Sequence, residues 1–384
     1  MTTKLAIVRQ KYRPDGGAER FISRALENLS QRDLQVSVIT RQWADGGDYN
    51  ILTCNPAKWG RISREKRFAT AACKLISRHD FDIVQSHERI ACCDIFRAGD
   101  GVHREWLEQR KRILSPLQIK WLELSPYHKY VCEAERRMFA SPRLKAVICN
   151  SEMVKQEIQD HFGLPGDKLH IIYNGINTRV FHPGLREQHR ESSRKRLGIP
   201  DEVPVAIFVG SGFERKGLAG ALEALALGSD ITQLVVVGSD KQEKKYQQIA
   251  ERLGLASRVH WLGVQQDVKP WYAAADFLLL PTLYDPFPNV IFEAMACALP
   301  IITSTKCGGA ELVTEGCNGF VCDALDFVGL GHAINKLTPL ETCQTLGQTS
   351  RHTVLNYEQS DMIDRLIQLY SGLIRTEPRN QANS

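Results

Sequence analysis

The stretch "YDPFPNVIFEAMACALP" (284–300) carries two carboxylates, Asp285 and Glu293, with seven residues between them inside a mostly apolar run. A core strand has no use for the acids, and an ordinary helix has none for Pro286 and Pro288. The prolines disfavour helix up to that point, while Pro288 suits a first helical turn, where an N–H is not needed. The pattern predicts a helix over about 288–298. Its start presents N–H groups at Asn289 and Val290, with Phe287 just before, and the helix dipole adds to their preference for an anion. Asp285 then lies in the loop ahead of the helix and Glu293 over a turn inside it. Two acceptor-only carboxylates around such a start suit a polyhydroxylated ligand carrying phosphate, the acids taking hydroxyl donors and the amides phosphate oxygens. A loop acid followed by a solvated helix residue would give the same letters.

Other segments share this chemistry. "VGSGFERKGL" (209–218) places Arg215 and Lys216 side by side after glycines, where two cations can neutralise a departing diphosphate. "YRPDGGAERF" (12–21) holds Gly16 and Gly17 just after a first strand, and glycine lets a backbone approach a ligand closely. "SHERI" ends another strand with His87 and Glu88. In "HDFDIVQS", Asp80 and Asp82 form a D-x-D string ahead of a strand, away from the strand ends that bind ligands, and read as a turn.

The elements that must position these residues alternate. "KLAIVRQ", "QVSVITR", "FDIVQSH" and "KAVICNS" read as buried parallel strands in the first half, with "GGAERFISRALENLSQR" and "SEMVKQEIQDHFG" as helices. "VPVAIFVGSG", "QLVVVGSD", "RVHWLG", "DFLLLPT" and "LPIITS" repeat the rhythm in the second. This implies an α/β protein with two doubly wound, Rossmann-like domains whose strand ends face an interdomain cleft. The halves meet at "IIYNGINTRVFHPG" (171–184), and the polar stretch "LREQHRESSRKRLGIPDEVP" after it fits a linker.

At 384 residues the chain has room for two ordinary domains, and 43% apolar with 24% charged residues is typical of a soluble protein. No run of about 18 apolar residues predicts a membrane-spanning helix, and the N-terminus reads as a first strand and not as an export signal. The 11 scattered cysteines, without a C-x-x-C pair, read as reduced thiols of a cytoplasmic protein, mostly small core residues. The net charge of +5 is uneven: residues 1–174 carry 29 Lys and Arg against 21 Asp and Glu, and the remainder 20 against 23. That asymmetry points to an anionic partner met by the first half.

Asp285 and Glu293, read as D-x7-E, resemble the E-x7-E element of the retaining GT-B glycosyltransferases of family 4. Gly16 and Gly17 are similar to the family's glycine loop, and Arg215, Lys216 and Gly217 to its R-K-G element. "RVHWLG" matches the strand that contacts the nucleotide base. "IIYNGIN", with Asn177 where Asp is usual, and "STKCGGAELV", with Gly308, Gly309 and Glu311, match further loops. The resemblance covers essentially the whole chain. Its wording is most similar to enterobacterial lipopolysaccharide inner-core glycosyltransferases that add a hexuronic acid to heptose.

The resemblance implies a UDP-sugar donor, galacturonic or glucuronic acid, a heptose acceptor, retention of configuration, and neither a cofactor nor a metal. It assigns donor contacts to Gly16, Gly17, Arg215, Lys216, Asp285, Phe287, Asn289, Val290 and Glu293. In "FRAGDGVHREW" (96–106), Asp100 stands where many relatives carry an active-site histidine, with His103 next in line; with Arg215 and Lys216 these are the catalytic candidates. A uronate carboxylate would need a cation, for which Arg89, Arg97 and Lys306 qualify. The expected division is an acceptor-binding, membrane-facing domain over 1–176, a donor-binding domain over 177–355, and a closing helix and loose tail over 356–384.

The basic, aromatic segments "KWGRISREKRF" (58–68) and 104–130 fit peripheral attachment to the anionic inner face of the cytoplasmic membrane. A UDP-glucose-dependent core glucosyltransferase and a GT-B nucleotide-sugar epimerase are the alternatives. A dinucleotide oxidoreductase lacks its G-x-G-x-x-G after the first strand, and no nucleic-acid motif supports a nucleic-acid partner.

Overall fold

The structure is a computed structural model that describes residues 3–11, 34–43 and 49–375. Gly16, Gly17 and the helix expected after them lie outside the described residues. The chain forms two compact units, residues 1–173 with 360–384, and residues 174–359. The division falls three residues before the expected boundary, and the closing helix is not a separate piece: it belongs to the first unit.

In the first unit β1 (Thr3–Val8), β2 (Leu34–Thr40), β3 (Asn50–Thr53), β4 (Ile83–Ser86), β5 (Ile95–Arg97), β6 (Ala146–Cys149) and β7 (Leu169–Ile171) form a seven-stranded sheet ordered β3-β2-β1-β4-β5-β6-β7. All its pairs are parallel. Successive side chains of a strand point to opposite faces, and β1 shows the consequence. Ala6 and Val8 join a core under the helix Gly60–Ile76, while Leu5 and Ile7 join a second core. That second core is covered by Met362, Ile363, Leu366 and Tyr370 of the helix Gln359–Arg375, which explains why this helix returns to the first unit. The Tyr370 hydroxyl completes the attachment by donating to Gln85 Oε1 at 2.7 Å.

The second unit repeats the plan with β8 (Val205–Val209), β9 (Gln233–Val237), β10 (Val259–Gly263), β11 (Phe277–Leu280), β12 (Ile301–Ser304) and β13 (Gly319–Cys322), ordered β10-β9-β8-β11-β12-β13 and parallel. The strand order reverses between β1 and β4 in one sheet and between β8 and β11 in the other. Beyond the carboxyl ends of strands at such a reversal, diverging loops leave a crevice for ligands.

Two sequence expectations are corrected. The polar stretch after residue 184 is no linker: Leu185–Leu197 is helical, and Arg186, Arg190 and Arg194 lie one turn apart on one face. All three reach Asp276 at the start of β11, at 3.0, 2.9 and 2.6 Å. Arg194 also donates to the carbonyls of Ala274, Pro200 and Val203. The fully buried guanidinium is thus hydrogen-bonded around its fork, as a buried charge requires. The second correction concerns thiols. Cys73 and Cys92 form a disulfide joining the helix Gly60–Ile76 to the turn after β4, whereas Cys54, Cys93, Cys149, Cys297, Cys307 and Cys343 are buried free thiols.

Candidate active site

In the second unit two loops meet at the β8/β11 reversal. After β8, Gly212 starts a single helical turn, Phe213–Lys216, that ends at Gly217 with φ +77°. A side chain there would be strained by the left-handed backbone, and its Cβ would fall on the Pro281 carbonyl oxygen. Glycine therefore lets the turn carrying Arg215 and Lys216 press against the loop after β11. The contact is fastened by Leu283 N–H and the Thr282 hydroxyl, which donate to the Arg215 carbonyl at 2.9 and 2.7 Å.

The loop after β11 delivers Asp285 to the same place. Its N–H donates to Lys306 O at 2.9 Å and its carbonyl accepts from Gly308 N–H at 2.8 Å, pairing the loop with the segment after β12. Asp285 Oδ2 receives Lys216 Nζ at 2.6 Å and Arg215 Nη1 at 2.8 Å. The carboxylate is buried, Lys216 nearly so, and Arg215 is partly open to solvent. Burial alone would raise the Asp285 pKa, but Lys216 and then Arg215 outweigh it and hold the group below its ordinary value. The sequence reading placed this acid on hydroxyl groups and the cations on phosphate; the structure brings all three into one charge cluster.

The following helix runs Asn289–Ala296, shorter than expected, with Pro288 as its extended N-cap and not its first helical residue. First-turn N–H groups of any helix lack intrahelical acceptors, so those of Asn289 and Val290 open the helix beside Asp285. Asn289 Oδ1 accepts from Asn174 Nδ2 at 2.7 Å, and Phe287 packs on Phe292 with ring centroids 4.7 Å apart. Val290 is buried. Glu293, two helical residues further in than Ile291, is 3% exposed and accepts the Tyr272 hydroxyl at 2.9 Å on Oε2. Gly309 lies so close to Ile291 that a Cβ there would meet the isoleucine side chain, which seats the Gly308–Leu312 turn on the helix.

The first unit has its own crevice at the β1/β4 reversal, a cavity of about 250 Å³. Its polar wall is Arg9 and Gln10 after β1, Glu88 and Arg89 after β4, Arg64 and Glu65 from the helix Gly60–Ile76, and Asp100. Tyr127, Tyr130 and Val131 of the helix Pro126–Phe139 form an apolar side. Gln10 gathers the acids: its backbone N–H and Nε2 donate to Glu88 at 2.9 and 3.2 Å, and Nε2 also to Glu65. Buried Arg41 orients Gln10 by donating to its Oε1 at 3.2 Å, and ties down the adjacent helix through the Arg64 carbonyl at 2.7 Å. Burial pushes the Glu88 carboxyl up, partly opposed by Arg9.

The first-half candidates separate. Asp100 lines the cavity, its Oδ2 3.9 Å from Arg89 Nη1. His103 is not among the lining residues; its Nε2 meets His128 Nδ1 at 2.9 Å and its backbone N–H donates to Glu135. Burial, with Arg89 and His128 nearby, lowers the His103 pKa to about 3, so the ring is neutral at pH 7. His87 is buried against Gln85 and is likewise held well below its ordinary value. Of the cations considered for a carboxylated sugar, Arg89 is engaged by buried Glu135 at 2.9 Å and Arg97 is 2% exposed. Lys306 abuts Asp285 through the backbone. Asp80 and Asp82 lie in the turn before β4, where Asp82 accepts the Lys4 N–H at 2.8 Å. Among the described residues no three His, Cys, Asp or Glu side chains are grouped to hold a metal ion, and no helix is long and apolar enough to cross a membrane.

Sequence reasoning missed Tyr272, Asn174, Gln10, Glu65 and Arg41. Gln10, directly after the first strand, and Asn174, within "IIYNGIN", left a signal. The others become neighbours of the site only through tertiary contacts.

Two parallel Rossmann-type sheets with charged groups gathered at their reversal points have the architecture of the GT-B glycosyltransferase fold, and glycosyltransferase family models match both halves of the chain. Residues 15–180 match the model described as Glycosyltransferase Family 4 and residues 189–353 the one described as Glycosyl transferases group 1. Among individual proteins, the chain is 26% identical over 352 residues to the lipopolysaccharide glucosyltransferase WaaG of Escherichia coli K12, covering 89% of this chain and 91% of that one. It is 24% identical over 367 residues to the lipopolysaccharide core biosynthesis glycosyltransferase LpsE of Rhizobium meliloti, covering 93% and 96%. The crystal structure of WaaG superposes with a TM-score of 0.82 at 24% identity, covering 96% of this chain and all of that one. HepE of Anabaena, in complex with UDP and glucose, gives 0.72 at 21% identity, covering 96% and 100%.

Proposed function

We propose that this protein is a retaining glycosyltransferase that moves a sugar from a UDP-sugar to a heptose of the lipopolysaccharide inner core. The observation that carries the reading is the Arg215–Lys216–Asp285 cluster at the β8/β11 reversal, beside the start of the helix that carries Glu293. Fixed cations stabilise the charge that develops on a departing diphosphate, and Glu293 suits ribose hydroxyls. The departing phosphate accepts the proton of the acceptor hydroxyl, so no protein base is required at the donor. The first-unit cavity, with acids gathered on Gln10 opposite two tyrosines, is the acceptor's place. Neither a metal nor another cofactor takes part, and turnover in excess chelator tests that.

A hexuronic acid, galacturonic or glucuronic, is the donor sugar that the wording of the sequence favours, and Lys306 is the candidate cation whose backbone adjoins Asp285. Glucose is the second reading, supported by the relative named as a glucosyltransferase. The decisive experiment incubates the protein with UDP-linked glucose, galactose, glucuronic and galacturonic acids and truncated core lipopolysaccharide, and weighs the product. A hexuronate or a hexose added identifies the donor; no addition with any of them sinks the reading, and sugar interconversion without acceptor would make the protein an epimerase.

The cytoplasmic face of the inner membrane is the proposed location. Trp121, Leu117 and Leu124 are exposed on the helix Pro116–Leu124, near Lys120 and Arg112, and Trp59 is exposed beside Arg67. Apolar side chains among cations suit an anionic interface. Co-sedimentation with anionic vesicles tests this, and no binding at low salt would refute it.

A further inference from the structure

Glu135 is 2% exposed and stands on the helix Pro126–Phe139, one turn beyond Val131 of the first-unit cavity wall. Its carboxylate holds two groups. Oε1 accepts Arg89 Nε at 2.9 Å, and Oε1 and Oε2 accept the His103 N–H at 3.1 and 3.2 Å. Arg89 extends past this contact towards Asp100, where its Nη1 stops 3.9 Å from Oδ2, outside direct hydrogen-bond range. His103 is the first residue of the helix His103–Lys111, whose N-cap, Val102, has no side-chain acceptor to offer. A carboxylate from another helix takes that place, where the orphan N–H groups and the helix dipole favour negative charge. Asp100 lies between the two held groups, in a turn closed by the Gly101 N–H on the Ala98 carbonyl at 3.1 Å, with its side chain 60% exposed.

We propose that Glu135 and Arg89 are positioning residues for Asp100: they hold its carboxylate open in the first-unit cavity, where it accepts a hydrogen bond from the acceptor hydroxyl and orients it. The proposal rests on the reading that this cavity receives the acceptor. An arginine beside a carboxylate ordinarily closes to a charged hydrogen bond of about 2.8 Å. Here Glu135 claims Nε, so Arg89 attracts Asp100 through its field without occupying its oxygens. Burial disfavours the charged guanidinium, but Glu135 and then Asp100 outweigh it, and the Arg89 pKa is raised. The same Glu135 carboxylate pins the backbone at His103, which keeps the Asp100 turn from swinging away.

Glu135→Gln keeps the size and an oxygen for the His103 N–H but releases Arg89. A crystal structure of the variant should show Arg89 closed on Asp100 to about 2.8 Å. With truncated core lipopolysaccharide and the UDP-sugar that the donor panel identifies, kcat/KM for the acceptor should fall on the order of ten- to a hundred-fold. The KM for UDP-sugar, and any hydrolysis of it without acceptor, should not move. Asp100→Asn should itself slow transfer, and in that background Glu135→Gln should cost nothing further, because the group it positions is gone. Arg89→Gln added to Glu135→Gln should return part of the lost rate, a rescue that a merely structural role would not give. If Glu135→Gln does not fold, Arg89→Lys serves, since one ammonium lacks the planar fork that reaches both acids. Its loss should likewise vanish beside Asp100→Asn. An Arg89 that stays in place, or losses that add to that of Asp100→Asn, overturns the proposal. Full transfer by Asp100→Asn would instead reject this cavity as the acceptor's place, and the positioning role with it.

Discussion

The Tyr272 hydroxyl donates to Glu293 Oε2 at 2.9 Å, and both side chains are almost wholly buried. The tyrosine comes from the short helix Lys269–Ala274 and the glutamate from the helix Asn289–Ala296, so this hydrogen bond ties the acid to a second helix. Tyr272→Phe should raise the KM for UDP-sugar by roughly five-fold, the worth of one ordinary hydrogen bond, with kcat little changed. Glu293→Gln should cost about ten- to a hundred-fold, since a charged acceptor is lost. Initial rates with the normal donor and with a deoxyribose analogue check both. If Glu293 holds the ribose, its substitution matters far less with the analogue.

Arg215→Ala and Lys216→Ala should each lower kcat by ~10²–10³, the usual effect of removing one group that stabilises developing negative charge. The acceptor KM should stay unchanged. Lys216 is the more enclosed of the two, so its removal should also lower the thermal midpoint further. Rates and melting curves on the same samples separate the two effects.

Stability should depend on acidity through His103 and His128. Burial is the first cause of lowering for both, and it brings His103 to about 3 from an ordinary 6.5. The unfolded chain therefore binds these protons first. The stabilisation is complete above about pH 6.5 and is lost as pH falls towards 3. Urea unfolding between about pH 7.5 and about pH 4 should show the decline, and His103→Gln should flatten it.

The Cys73–Cys92 bridge closes a loop of 19 residues in sequence separation. Loops of that size are worth roughly 3 kcal/mol when cross-linked. Adding dithiothreitol, or substituting both cysteines with serine, should lower the unfolding free energy by about that amount. The helix it anchors supplies Arg64 and Glu65 to the first-unit cavity, so acceptor KM should rise with reduction.

Asp276 holds three arginines, and breaking a buried pair by removing one partner costs about 3–5 kcal/mol. Asp276→Asn should therefore destabilise the protein strongly. Arg194→Ala should cost more than Arg186→Ala, because Arg194 is fully enclosed and Arg186 is partly open. Denaturation midpoints give the order.

The α/β class was legible in the sequence because a buried parallel strand is short, apolar and β-branched wherever it occurs. β1, β8 and β11 can be read off without knowing their neighbours. The place of Arg215, Lys216, Asp285 and Glu293 was legible for a related reason: each lies at a strand end or in the helix that follows, and loops there converge by construction. The helix Leu185–Leu197 was hidden, since its polar letters suit a linker equally well and only Asp276, far along the chain, gives its arginines a purpose.

By itself, then, the sequence determined two Rossmann-type units and the loops that bear their charged groups, since periodicity and glycine placement act locally. Tertiary structure alone decided that Asp285 spends its charge on Arg215 and Lys216, that Tyr272 steadies Glu293, that His103 turns to His128, and that the last helix covers the first sheet. Each of these depends on which side chains come within hydrogen-bond reach, a distance no single segment of chain contains.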